Sequence, residues 1–163
     1  MTSIYLIGSL RNPEIPQIAT KLRAEGYDVF DDWHAPGPQA DDFWREYEKA
    51  RGHSYKEALR GHAGRHIFEF DHEHLLRCDI GVMVMPAGKS GHSELGYLAG
   101  LGKPTFVLFD EEPERYDVMY QLFTAVCFSL DELKVELAKV EPKRLRLLRE
   151  HVEEFDDGAL VDV

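Results

Sequence analysis

The feature of this sequence that most restricts its fold is the alternation of short apolar runs with helix-forming segments. "SIYLIGS" (3–9), "YDVFDDW" (27–33), "DIGVMVM" (79–85), "PTFVLF" (104–109) and "TAVCFS" (124–129) read as strands. Helical segments lie between them. The first opens at Pro13 and Pro16, places Ile15, Ile18, Ala19 and Leu22 on one face and stops at Gly26. Others span roughly 65–77, 91–101 and 115–122, and "SLDELKVELAKV" begins with a Ser N-cap. Such alternation predicts an α/β, doubly wound, mainly parallel five-stranded sheet with helices on both faces.

A chain of 163 residues suits one domain with one sizeable core. That domain is expected over 1–140. Two parts depart from the alternation. Residues 34–64 are polar and aromatic, with Phe43, Trp44, Tyr47 and Tyr55 inside and Trp33 at the border. They predict one or two short helices, and an insertion of this kind reads as a lid or as padding for the core or an interface. Residues 141–163 read as a charged helix and tail that packs on a partner subunit or frays.

Composition excludes some partners. A net charge of −11 repels a nucleic-acid polymer, whereas a single phosphate needs only a local cluster of donors. No apolar run approaches the roughly 18 residues of a membrane span. "MTSIYLIGSL" has no basic stretch of the kind that opens a signal peptide, and Cys78 and Cys127 read as small buried thiols. A cytoplasmic protein is expected.

In a doubly wound sheet, ligands sit at the carboxyl ends of the strands. Three loops fall there: "GSLRN", "DDWHAPGP" and "PAGKSGHSE". The first is not G-x-G-x-x-G, so a dinucleotide fingerprint is absent. It offers backbone N–H groups at Gly8, the Ser9 hydroxyl and Arg11 ahead of a helix, which makes either a phosphate cradle or a simple tight turn. Glu94 follows the third loop and is expected in the first turn of its helix, where the helix dipole alone favours a carboxylate. "GHSEL" misses the G-x-S-x-G nucleophile elbow because its fifth residue is Leu95. His62, His66, His72 and His74 crowd around Asp71 and Glu73, but without H-E-x-x-H or a cysteine pair. They read as facing solvent or the insertion, and no metal or cofactor is expected.

Together, "IYLIGS", "FDHEHLLRCDIGVMVM", "SGHSELGYLAGLGKPTFVL" and "YDVMYQ" resemble, in order and spacing, the nucleoside 2-deoxyribosyltransferase superfamily, which includes 2'-deoxynucleoside 5'-monophosphate N-hydrolases. The resemblance covers roughly 3–130, and E-L-G-Y-x-x-x-x-G-K-P is its most specific block. It implies a flavodoxin-like fold and a double displacement. By that pattern Glu94 is the nucleophile that attacks C1' and forms a glycosyl-enzyme, Tyr5 orients it, and Asp71 handles the leaving base as proton donor or hydrogen-bond partner. Asp79 reads only as a strand-start residue.

Two departures from the pattern pull in opposite directions. Gly88 stands where the transferases carry a sugar-binding aspartate and the hydrolases a phosphate-binding serine; Lys89, Ser90, His92 and Ser93 follow it. With "GSLR", this loop leans toward a phosphorylated substrate. Asp117, two residues before Met119, replaces the asparagine of the transferase N-x-M that reaches into a neighbouring subunit, and a carboxylate there repels phosphate. The resemblance also implies a homodimer or larger homo-oligomer with shared sites. The leading expectation is therefore an enzyme acting on a small nucleoside or nucleotide. A non-catalytic nucleotide-sensing module and an NAD-type glycohydrolase are the alternatives.

Overall fold

The computed structural model describes residues 1–140, and the expected tail over 141–163 lies outside the described residues. Five strands, β1 (Ser3–Ile7), β2 (Asp28–Phe30), β3 (Ile80–Val84), β4 (Thr105–Leu108) and β5 (Ala125–Cys127), form one sheet in the order β2-β1-β3-β4-β5. Every neighbouring pair is parallel. With helices on both faces, this is the flavodoxin-like, doubly wound α/β fold.

The sheet separates two cores because side chains alternate along each strand. On one face α1 (Ile15–Ala24) and α6 (Leu130–Ala138) cover Ile4, Leu6, Ile80, Val82 and Phe106. On the other, α4 (His62–Arg77) and α5 (Lys89–Gly100) cover Tyr5, Ile7, Met83 and Val107. The helix starts follow local chemistry. Ser129 caps α6 by accepting the Glu132 N–H, and Gly26 ends the α1 segment with a φ of +92° that an L side chain resists.

Two glycines let α5 approach the sheet. A Cβ on Gly81 of β3 would stand 2.5 Å from Leu98 and 3.1 Å from Leu95, and one on Gly91 would stand 2.9 Å from Ile7. The end of α4 is fastened from below. Lys103, buried after α5, donates from Nζ to the carbonyls of Leu75, Leu76 and Cys78. These are carbonyls the helix itself leaves unpaired. Asp79, at the start of β3, accepts the Ser3 N–H and hydroxyl at 2.8 and 3.0 Å, a structural clasp between two strand starts.

Residues 34–64 contain α2 (Ala40–Ala50), α3 (Tyr55–Arg60) and the start of α4. A capping box, Ser54 with Glu57, starts α3. The expected helix over 115–122 is absent. Asp117 accepts the Met119 N–H and tightens the chain into a 3-10 turn, Val118–Leu122, preceded by an irregular loop. Phe123 is extended and ends the turn.

Candidate active site

Tyr5 lies on β1 between Phe30 of β2 and Gly81 of β3, buried to 1% exposure. Asp71 is on α4 and Glu94 on α5, both half-buried on the same face of the sheet. The three are close enough for their charges to act on one another. Gly81 is what allows this: with no side chain beside Tyr5, α5 settles onto β3.

The helix start differs from expectation. α5 begins at Lys89, so Glu94 stands in its second turn rather than its first. The unpaired N–H groups whose partial charge favours a carboxylate are confined to the first turn, so the helix dipole does not account for Glu94.

Electrostatics mark the trio. Burial, and then the charge of Asp71, push the Glu94 carboxyl up to about 7. Burial also raises Asp71, and His74 opposes that rise. Burial, then Glu94 and Asp71, push the Tyr5 phenol far upward, so it stays a neutral O–H donor. Two carboxyls that share a poorly solvated space cannot both ionise freely. The charge of Asp71 therefore favours the protonated form of Glu94.

The loop after β1 is built differently from a free phosphate cradle. The Ser9 hydroxyl accepts the Arg11 N–H at 3.2 Å, while the Arg11 guanidinium turns away to Asp42 of α2 at 3.0 Å. The other Asp42 oxygen takes Arg45 at 3.2 Å. Trp33 Nε1 donates to the Leu6 carbonyl at 2.7 Å and His34 Nε2 meets the Asn12 carbonyl at 3.0 Å, so the insertion is tied to this same loop.

After β3, Gly88 and Ser90 are exposed at the start of α5. His92 is committed on both ring nitrogens. Nδ1 donates to the Gly88 carbonyl at 2.8 Å, which leaves Nε2 to accept from the Tyr120 hydroxyl at 2.7 Å. It ties α5 to the 3-10 turn that carries Met119, beside its capping residue Asp117. Met119 itself is exposed. The expected histidine cluster divides. His62 and His66 are exposed, whereas His74 faces inward, stacked on Phe30. Among the described residues no group of three or more His, Cys, Asp or Glu is arranged to hold a metal ion.

Sequence reasoning turned His74 toward solvent or the insertion and missed Phe30, Tyr120 and Asp42. The spacing offered one signal, since His74 lies three residues after Asp71 and so on the same side of a helix.

No protein-family model matches the chain, and no curated protein matches it by sequence. Solved structures do. The 2-deoxyribosyltransferase of Bacillus psychrosaccharolyticus superposes with a TM-score of 0.55 at 22% identity, over 88% of this chain and 96% of that one. This chain has the fold of a 2-deoxyribosyltransferase. The CMP N-glycosidase BcmB of Clostridium botulinum superposes with a TM-score of 0.50 at 13% identity, over 84% of this chain and 99% of that one. Both of those chains are matched over nearly their whole length.

Proposed function

We propose that this chain cleaves the N-glycosidic bond of a (2'-deoxy)nucleoside or its 5'-monophosphate through a covalent glycosyl–Glu94 intermediate. It then passes the sugar to another base or to water. The observation that carries this reading is the meeting of Glu94, Asp71 and Tyr5 in one half-buried space on the α4–α5 face. A binding module has no use for a half-buried carboxyl whose proton affinity a second carboxyl raises. A glycoside-cleaving site needs one as the anion and one as the acid.

In the first step the Glu94 carboxylate bonds to C1' as the C1'–N bond breaks. The bonding pair leaves with the base, and the Asp71 proton neutralises it. In the second, a base nitrogen or a water attacks C1', the ester to Glu94 breaks, and the proton of the incoming group returns to Asp71. Tyr5, kept neutral by burial, donates to Glu94 and steadies its orientation. Gly8, Ser9, Arg11, Gly88, Ser90 and His92 form the rim that takes the sugar and any 5'-phosphate, with His92 acting through the turn it holds. Residues 34–64 close over this rim as a lid. The exposed Val118, Met119 and Leu122 support self-association through the turn that carries them, with Asp117 and Met119 presented to a second copy.

The test is incubation with nucleosides, nucleoside monophosphates and NAD, with and without a second free base, followed by chromatography. Release of free base that depends on Glu94 is the expected outcome. A new nucleoside formed only when a second base is present identifies a transferase; base release without it identifies a hydrolase. No base released from any member of the panel overturns the reading.

A further inference from the structure

Asp42 has more partners than its place in the helix explains. It stands in the first turn of α2 beside Asp41, and the helix dipole favours a carboxylate at either position. What sets Asp42 apart is that each of its oxygens takes a guanidinium, Arg11 at 3.0 Å and Arg45 at 3.2 Å. Arg45 is shared with Glu46, also at 3.0 Å. The backbone under Arg11 is fixed. The Asn12 N–H donates to the Ser9 carbonyl at 2.9 Å, and Asn12 Oδ1 accepts the Glu14 N–H at 2.9 Å. A Cβ on Gly8 would stand 2.5 Å from Ile15 and 3.5 Å from the Val84 carbonyl, so the loop lies against the end of β3. The Arg11 side chain, 66% exposed, turns on this fixed base.

We propose that Asp42 is a specificity-determining residue: an internal anion that holds the Arg11 guanidinium until the 5'-phosphate of a nucleotide displaces it. This rests on the reading of the chain as acting on a nucleoside or its 5'-monophosphate, with the loop after β1 at the rim of the site. The exchange leaves no group without a partner. A phosphate monoester carries a charge of about −1.5 to −2 near pH 7 and offers three acceptor oxygens, whereas Asp42 offers Arg11 a single charge. Arg11 thus exchanges one charge-assisted hydrogen bond for another, and Asp42 keeps Arg45. A nucleoside brings no anion and leaves the Arg11–Asp42 pair closed. The cost of opening that pair falls on phosphorylated substrates alone. Asp42 therefore narrows the preference for a phosphate that Arg11 would otherwise give.

The experiment is calorimetric titration of the full chain carrying Glu94→Gln, so that the substrate survives, with nucleoside 5'-monophosphates, the matching nucleosides and inorganic phosphate. Adding Asp42→Asn is expected to tighten monophosphate binding about two- to fivefold relative to the nucleoside, the scale of one exposed ion pair. In an Arg11→Ala background the same substitution should change that ratio by less than about 1.5-fold, since the released partner is gone. Asp42→Ala removes the same charge and replaces the asparagine variant if that one does not fold. A gain of equal size without Arg11 is the removal of a distant negative charge and overturns the proposal. Unchanged or weaker monophosphate binding in Asp42→Asn overturns it too, because Asp42 then does not compete for Arg11. Tighter binding of inorganic phosphate with no gain for any monophosphate overturns it as well. With Glu94 intact, the ratio of kcat/KM on monophosphate to that on nucleoside should rise by the same factor in Asp42→Asn. Base release with an unmoved ratio overturns the role of Asp42 and leaves the catalytic reading standing. The binding gain together with no base release from any substrate leaves Asp42 standing and overturns the catalytic reading instead.

Discussion

The two faces of the sheet are made from the same strands and do opposite things. Toward α1 and α6 the residues Ile4, Leu6, Val82 and Phe106 pack in one cluster of apolar side chains. Toward α4 and α5 the intervening positions, Tyr5, Ile7 and Met83, lead to Asp71, Glu94 and His74. One face spends its burial on hydrocarbon, worth about 25 cal/mol per Å². The other spends part of it on carboxyls, which resist being taken from water. Within the described chain, one layer holds the sheet together and the other stores reactivity against that stability.

Glu94→Gln breaks the comparison most sharply. Base release is expected to fall by several orders of magnitude, measured by single-turnover chromatography, while the fold persists. Retention of more than about a tenth of wild-type turnover ends the nucleophile assignment. The same variant should gain stability at neutral pH. In the folded protein Glu94 holds its proton up to about 7, against an ordinary value of 4.5. Its contribution is therefore fully present below about 4.5 and is lost as pH rises through 7, on the order of 3 kcal/mol. Urea midpoints for wild type and variant should converge at about pH 4.5 and separate by pH 8, with the variant the more stable.

Leu6→Ala on the other face should do the reverse. It should cost about 2–5 kcal/mol by urea denaturation while leaving kcat of the folded fraction and its pH profile unchanged. A changed pH profile would show that the two layers are coupled. Arg11→Ala sits at the shared edge. If the loop after β1 binds phosphate, KM for monophosphates rises roughly ten- to hundredfold and nucleosides are spared. Equal losses on both mark Arg11 as a structural partner of Asp42. The smallest effect is expected in hydrogen exchange of 34–64. Protection there should rise when a substrate analogue binds. A response confined to 88–94 removes the lid from the mechanism.

Most of the sheet was legible because a buried parallel strand announces itself as an apolar run, and β3 and β4 fall within a residue or two of their expected ends. The 115–122 segment was misread because Val118 and Leu122 are spaced as on a helix, while the short reach of the Asp117 cap decided the outcome. The meeting of Tyr5 with Glu94 was legible only through resemblance. The physical cause, an absent side chain at Gly81, depends on which residue β3 sets opposite Tyr5, and a lone sequence does not print register. The inward place of His74 was not legible because Phe30, the ring that holds it, lies 44 positions earlier (74 − 30) and reaches it only through the β2–β1 pairing. The Arg11–Asp42 pair has the same origin, since α2 lies in a region with no counterpart in the alternation.

Lys103 has a practical consequence. Its amine is enclosed and spent on three carbonyls that end α4, so an acylating or amidinating reagent meets it only when that helix end opens. Lys49 and Lys89, by contrast, stand in solvent and react at once. Mass spectrometry of briefly labelled protein thus supplies an internal clock. The early signal reports reagent strength, and the appearance of modified Lys103 times the loosening of the helix that carries Asp71.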